Sequence, residues 1–197
     1  MQVVLASGNK DKCKEIQDFL VNTNLDIVLQ TELNVNSVPE NGLSFVENAI
    51  LKARHASLVT GLPAIADDSG LEVADLKGAP GIYSARYAGA ENDFQLNIDK
   101  LLLELKKINA TRPKARFVCA LVFMRSFLDA TPEIFVGTWD GEIVQEKRGD
   151  NGFGYDPVFY IPQLQATAAQ LPKETKQKLS HRANAMQGLI KFLTQNF

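Results

Sequence analysis

The sequence predicts an α/β fold, and three observations carry that reading. An apolar stretch, Val3–Ala6, runs through the turn Ser7-Gly8-Asn9 into a helical pattern over Lys10–Val21. A second apolar run, Pro63-Ala64-Ile65-Ala66, delivers two adjacent carboxylates, Asp67 and Asp68. Two further strand candidates, Ala115–Met124 and Glu133–Asp140, follow a strongly amphipathic helix over Phe94–Ile108. Strands and helices therefore alternate along the chain instead of being segregated.

In the first unit Cys13, Ile16, Phe19 and Leu20 recur near one helical face. The strand–turn–helix connection aims backbone N–H groups and the positive end of a helix at one spot, which suits phosphate, and Lys10 and Lys12 add cations. An ordinary β-turn-α connection has the same form, and the turn lacks the long glycine spacing of nucleotide-binding loops. Leu25–Gln30 is a second strand candidate, and Pro39-Glu40-Asn41-Gly42 is a turn. Ser44-Phe45-Val46-Glu47 has the form of a capping box opening a helix to about Val59. On that helix Asn48, Lys52 and His55 share a face, and Ala49, Ala53 and Ala56 make a slim neighbouring one.

The chain is organised around Ala64–Tyr87. Here a strand is predicted to end in Asp67, Asp68, Ser69 and Gly70, which would put charge at a strand's carboxyl end, where open α/β sheets bind ligands. Adjacent carboxylates repel, so they call for a cation, a shared proton or open water; a metal with oxygen ligands, of the kind Mg²⁺ takes, is one answer. An acidic turn capping the next segment uses the same residues. Beyond it, Ile82–Tyr87 reads as a short helical turn carrying Arg86. The helix over Phe94–Ile108 has Phe94, Ile98, Leu101, Leu102, Leu105 and Ile108 as its core side. Asp129–Pro132 is the turn of an antiparallel pair, and Gly141–Gln145 extends that pair toward a meander.

Gly149–Pro157 is a loop in which three glycines let backbone approach a ligand closely. On it, Phe153 and Tyr155 are predicted to stand as platforms able to stack on a base for ~1–3 kcal/mol each. Val158–Ile161 reads as a strand and Lys173–Lys178 as a polar helical piece. Ser180 opens a last helix to about Leu193, with Met186, Leu189, Ile190 and Leu193 inward. His181 and Arg182 fall in its first turn. A cation is disfavoured at that end, so function explains Arg182 better than helix stability does.

Composition narrows the function. The 197 residues are 45% hydrophobic and 22% charged, enough for one domain with a real core. A net charge of −2 provides no general basic field for nucleic acid, so a polyanionic ligand must be held by a local cluster. The two cysteines, Cys13 and Cys119, match no metal-ligand spacing and read as reduced thiols of a cytoplasmic protein. No stretch reads as a signal peptide or a membrane span.

A phosphate-suited turn, isolated acids, scattered cations and an aromatic glycine-rich loop together suit a Mg²⁺–nucleoside triphosphate. In order along the chain, SGNKDK (Ser7–Lys12), PENGLSFVENA (Pro39–Ala49), ADDSGLEV (Ala66–Val73), GAPGIYSARYAG (Gly78–Gly89), GFGYDPVF (Gly152–Phe159) and SHRANA (Ser180–Ala185) closely resemble the inosine triphosphate pyrophosphatase family. The resemblance implies two lobes around a long mixed β-sheet with flanking helices and the site in the cleft between them. It also implies a homodimer and a Mg²⁺ requirement. The implied reaction hydrolyses ITP, dITP or XTP to the monophosphate and pyrophosphate.

Carried over by motif, Asp68 matches the proton acceptor, and Glu40 and Asp68 match metal ligands. Ser7, Gly8, Asn9, Lys10, Asp11 and Lys12 match the triphosphate-binding turn, with Ser69 also at the substrate. Phe153, Gly154, Tyr155, Asp156, Lys176, His181 and Arg182 match the remaining substrate contacts. Lys52 and Arg86 are further candidates for neutralising phosphate. Arg182 or a nearby N–H would donate to O6 of a 6-oxopurine, Asp156 would accept from N1–H, and Phe153 would stack. Asp67 has either a metal or water role or a structural one. Two other readings are a Maf-type pyrophosphatase acting on dTTP or modified pyrimidines, and a module that holds a purine nucleotide without hydrolysing it.

Overall fold

A computed structural model describes residues 1–89 and 93–196. The elements run β1 (Gln2–Leu5), α1 (Lys10–Leu20), β2 (Asp26–Leu29), α2 (Phe45–Thr60), β3 (Ala64–Val73), α3 (Phe94–Lys107), β4 (Lys114–Met124), β5 (Glu133–Ile143), β6 (Phe159–Ile161), β7 (Ala166–Thr167), α4 (Lys173–Leu179) and α5 (His181–Asn196). Short 3₁₀ turns lie at Ala74–Leu76, Gly81–Arg86, Pro162–Leu164 and Ala168–Gln170. The strands form one mixed seven-stranded sheet in the order β2-β1-β3-β4-β5-β6-β7. β1 is parallel to β2 and β3, whereas β6 is antiparallel to β5 and β7. Among the described residues no helix is long and apolar enough to cross a membrane.

The chain divides into two compact units. One comprises Met1–Asp68, Cys119–Gly137 and the last helix from Arg182. In it, side chains alternate across the sheet with the strand period of two. Val3, Leu5, Ile65, Cys119, Leu121 and Phe123 join Cys13, Ile16 and Leu20 of α1 and Met186, Leu189 and Leu193 of α5. Val4, Ala6, Ala64, Ala66, Val122 and Met124 instead meet Ala49, Ala53 and Ala56 of α2. Helix cover on both faces explains why these strands read as continuous apolar runs. The other unit, Ser69–Val118 with Thr138–His181, packs Ile98, Leu101 and Leu105 of α3 against Leu71, Val73, Phe117, Trp139, Ile143 and Phe159.

Three predicted boundaries change. β3 does not stop at the acids: it continues through Asp67, Asp68, Ser69 and Gly70 to Val73. Leu71 and Val73 are fully buried, and their burial overrides the turn preference of Asp-Asp-Ser-Gly. β5 runs unbroken to Ile143, so Gly141–Gln145 is no third strand of a meander. Ile108 lies just past the end of α3 and is half exposed instead of joining the core.

Candidate active site

α1 begins where the sequence predicts, and its start is closed by Asn9. The Asn9 Oδ1 accepts from the backbone N–H groups of Asp11 and Lys12 at 3.0 and 3.1 Å. Asn9 N–H donates to Ser7 Oγ at 3.3 Å, and the Cys13 thiol donates to the Ser7 carbonyl at 3.4 Å. Two amides read as phosphate donors therefore already serve the helix cap. Lys10 and Asp11 are exposed, whereas Lys12 is half-buried and its Nζ lies 3.6 Å from Asp67 Oδ2.

β1 pairs with β3 up to Leu5 opposite Ile65, so Asp67 and Asp68 lie just beyond the carboxyl end of their parallel neighbour. Alternation sends the two carboxylates in opposite directions. Asp67 enters the ion pairs of Lys12 and Arg182. Arg182 Nη2 donates to Asp67 Oδ2 at 3.0 Å, and Nη1 donates to Glu15 Oε2. Asp68 instead meets α2: Lys52 Nζ donates to Asp68 Oδ1 at 2.8 Å, and Asn48 Nδ2 donates to Asp68 Oδ2 at 3.3 Å.

Lys52 also donates to Glu40 Oε1 at 2.8 Å, so one ammonium joins the two predicted metal ligands. The Glu40 loop is tied down beside it. Gly42 N–H donates to Asn48 Oδ1 at 2.9 Å, and a β-carbon at Gly42 would stand 2.7 Å from Glu47 Cβ. Only glycine brings the loop that close to α2. Ser44 caps α2 through Glu47 N–H, and Glu47 Oε2 accepts from the Leu43 N–H and the Ser44 hydroxyl. This is a variant of the predicted box.

The electrostatics separate the two acids. Burial alone would raise Asp67, but Lys12, Arg182 and Lys52 outweigh it and hold the carboxyl well below the usual aspartate range. Burial raises Asp68 above its ordinary value, with Glu40 adding to the rise while Lys52 and Lys12 pull against it. Burial would lower Lys52, yet Asp68, Glu40 and Asp67 raise it, so its ammonium stays charged. Arg182 is raised by Asp67 and Glu15 against its burial. Adjacent carboxylates pushed apart in acidity fit an acid–base assignment, with Asp67 the fixed anion and Asp68 the better proton acceptor.

Among the described residues no group of three or more His, Cys, Asp or Glu side chains is assembled as a metal cage. Mg²⁺ does not require one. It commonly uses one or two carboxylates and completes its shell with water and phosphate oxygens. Glu40 and Asp68, which already share one cation, fit that donor set.

The second unit holds a separate cluster. Asp156 Oδ2 accepts from Phe153 N–H at 3.0 Å and from Lys176 Nζ at 2.7 Å, and that ammonium lies 5.0 Å from the Phe153 ring centre. Lys176 of α4 thus faces the loop. Gly152 has φ +76°, and a β-carbon there would fall 2.0 Å from Asp156 Oδ2. Phe153 and Gly154 are half-buried, as is Ser69 on β3.

One expectation is corrected, and three other predicted site residues are found in contacts of their own. Tyr155 is no platform: it is buried in the apolar core and its hydroxyl donates to the Ser84 carbonyl at 2.9 Å. Asp156 is buried, and its Oδ2 is tied to its own loop and to Lys176. His181 is buried and stacks on Phe117 at 4.8 Å, as a core ring does. Arg182 is only 1% exposed and lies between two carboxylates, an ionic reason for a cation at a helix start that sequence reasoning assigned to base reading. Arg86 lies over the Tyr83 ring at 5.3 Å.

Glu15 is a functional candidate that sequence reasoning missed, and Asn48, placed there on the Lys52 face, was given no role. Both were within reach of helical periodicity: Glu15 follows Lys12 by three positions, and Asn48 precedes Lys52 by four.

Comparisons with known proteins identify the family of the chain. The Ham1 family pattern matches residues 3–192. The dITP/XTP pyrophosphatase of Pectobacterium atrosepticum is 54% identical over 189 residues, 96% of each chain. That of Erwinia tasmaniensis is 55% identical, over 96% of this chain and 92% of the relative. Among solved structures, a HAM1 protein from Coxiella burnetii superposes with a TM-score of 0.93 at 46% identity, covering 99% of both chains. The Staphylococcus aureus Ham1 protein gives 0.87 at 44% identity over the full length of both. These matches set aside the Maf-type alternative: the chain belongs to the Ham1 family.

Proposed function

We propose that this protein hydrolyses noncanonical purine nucleoside triphosphates (dITP, ITP and XTP) to the monophosphate and pyrophosphate. The observation that carries the reading is the division between neighbours on β3: Asp67 is held as an anion by Lys12 and Arg182, whereas Asp68 shares Lys52 with Glu40 and has its pKa raised by burial. The relatives named dITP/XTP pyrophosphatase support the substrate class.

In this reading water attacks the α-phosphorus and pyrophosphate leaves. Asp68 accepts the water's proton, a role that typically contributes 10²–10⁴-fold. Glu40 and Asp68 would hold Mg²⁺, which when bound offsets phosphate charge and lowers the pKa of water. Lys12 and Lys52 neutralise phosphate, with Lys10 and Arg86 as outer cations and Ser69 at the substrate. The Ser7–Lys12 turn receives the triphosphate through its side chains and the amides that Asn9 does not occupy. Phe153 stacks on the base. Asp156 positions the Phe153 amide and Lys176, and Arg182 positions Asp67. The homodimer and cytoplasmic setting implied by the resemblance belong to this reading too.

A panel of ITP, dITP, XTP, GTP, ATP and dTTP, with and without Mg²⁺, tests it. The expected result is one pyrophosphate per monophosphate from the first three, dependent on Mg²⁺. Preference for dTTP, or release of orthophosphate, would contradict it.

A further inference from the structure

Lys52 stands where a cation between Glu40 and Asp68 would stand. Its Nζ is 2.8 Å from one oxygen of each, and its side chain is 14% exposed. Two of its three N–H donors are thereby used on the oxygens read as metal ligands. Asn48 holds the other Asp68 oxygen, so the carboxylate is fixed with Oδ1 turned to the ammonium. A divalent ion on those oxygens and the ammonium beside them would place three positive charges against two negative ones. The flexible four-carbon stem of lysine lets the ammonium move without moving α2.

We propose that Lys52 holds the cation position of the nucleotide-free protein and yields both carboxylates when a triphosphate draws its ammonium away. This rests on the pyrophosphatase reading only for the identity of the anion. Three consequences follow. The free protein binds divalent cations weakly. Metal and nucleotide bind with positive coupling, because each favours the arrangement in which Lys52 has left the carboxylates. The carboxylates are never left as an unneutralised pair, so Asp68 stays fixed between turnovers.

The test is a Mn²⁺ titration of nucleotide-free protein, with free Mn²⁺ followed by electron paramagnetic resonance. Lys52→Gln should bind Mn²⁺ about tenfold more tightly than wild type, within the usual range of such couplings. Lys52→Arg, still cationic, should remain as weak as wild type. Adding Glu40→Gln to Lys52→Gln should abolish the gain and tie it to these carboxylates. Equal or weaker Mn²⁺ binding by Lys52→Gln overturns the proposal.

A measurement on wild type guards against a misfolded variant. The ¹⁵N signal of the Lys52 ammonium should stay in place with Mg²⁺ alone and move when an α,β-methylene ITP analogue is added. Movement with Mg²⁺ alone, at the concentration that suffices with the analogue, overturns the proposal. The Mn²⁺ arm contains no nucleotide, so a failed substrate panel would sink the pyrophosphatase reading and leave this result standing.

Discussion

Both units contain a close lysine–aspartate pair, Lys52 with Asp68 at 2.8 Å and Lys176 with Asp156 at 2.7 Å, yet the two pairs differ in their surroundings. In the first unit the ammonium is shared with a second carboxylate, Glu40, and burial raises the pKa of Asp68. In the proposed reading that pair is an exchangeable one, with a cation that can leave and a base that can accept. In the second unit the carboxylate also takes a backbone amide of its own loop, and the ammonium lies over the Phe153 ring. That pair shapes a loop. The difference teaches that what a buried ion pair contributes depends on the third partner: a second acid makes a reactive centre, a backbone amide makes a scaffold.

The largest expected effect falls on the reactive side. Asp68→Asn removes the proton acceptor and should lower turnover of ITP by about 10²–10⁴-fold or more while nucleotide binding persists. Turnover near wild type would take Asp68 out of that role. Asp67→Asn strikes the neighbouring pair and should act on stability, costing about 3–5 kcal/mol in urea unfolding because Arg182 loses a buried partner.

Its pH dependence has a definite sign. Asp67 is held below its unfolded value, so its contribution is present above the ordinary aspartate pKa of about 3.9 and is lost as pH falls further. Wild type should therefore lose stability below about pH 4, and Asp67→Asn should lack that part of the slope.

Smaller effects belong to the scaffold side. Gly152→Ala drives a β-carbon into the Asp156 carboxylate at a residue with φ +76°. It should cost about 1–3 kcal/mol and raise KM for ITP more than it lowers kcat. The reverse split would mean that this loop takes part in the chemical step. Tyr155→Phe removes only the bond to the Ser84 carbonyl. It should cost about 1 kcal/mol in thermal unfolding with substrate preference unchanged. A changed preference would restore Tyr155 as a ligand contact.

Much of this was legible in local pattern. The Ser44 cap, the helical spacing of Asn48 and Lys52, and the apolar face of α3 are short-range signals and appear where the periodicity put them. The path of β3 was not, because Asp-Asp-Ser-Gly carries strong turn preferences, and only the burial of Leu71 and Val73 shows that packing prevails. Arg182 is separated from Glu15 by 167 positions, so no local rule could pair them. Tyr155 fits either role by residue type: an aromatic on a glycine-rich loop can face a ligand or fill a core. Lys176 came from the resemblance alone, since nothing local sets it apart from Lys173 and Lys178, and its pairing with Asp156 is visible only in the loop's geometry.

The central claim is that two successive aspartates on one strand have been given opposite characters. Titrating their side-chain carboxyl ¹³C signals by NMR tests it most directly. The account predicts that Asp67 remains ionised through the range in which ordinary aspartates, near 3.9, take up a proton, while the midpoint of Asp68 lies above that value. Coincident titrations, or Asp67 protonating before Asp68, would contradict it.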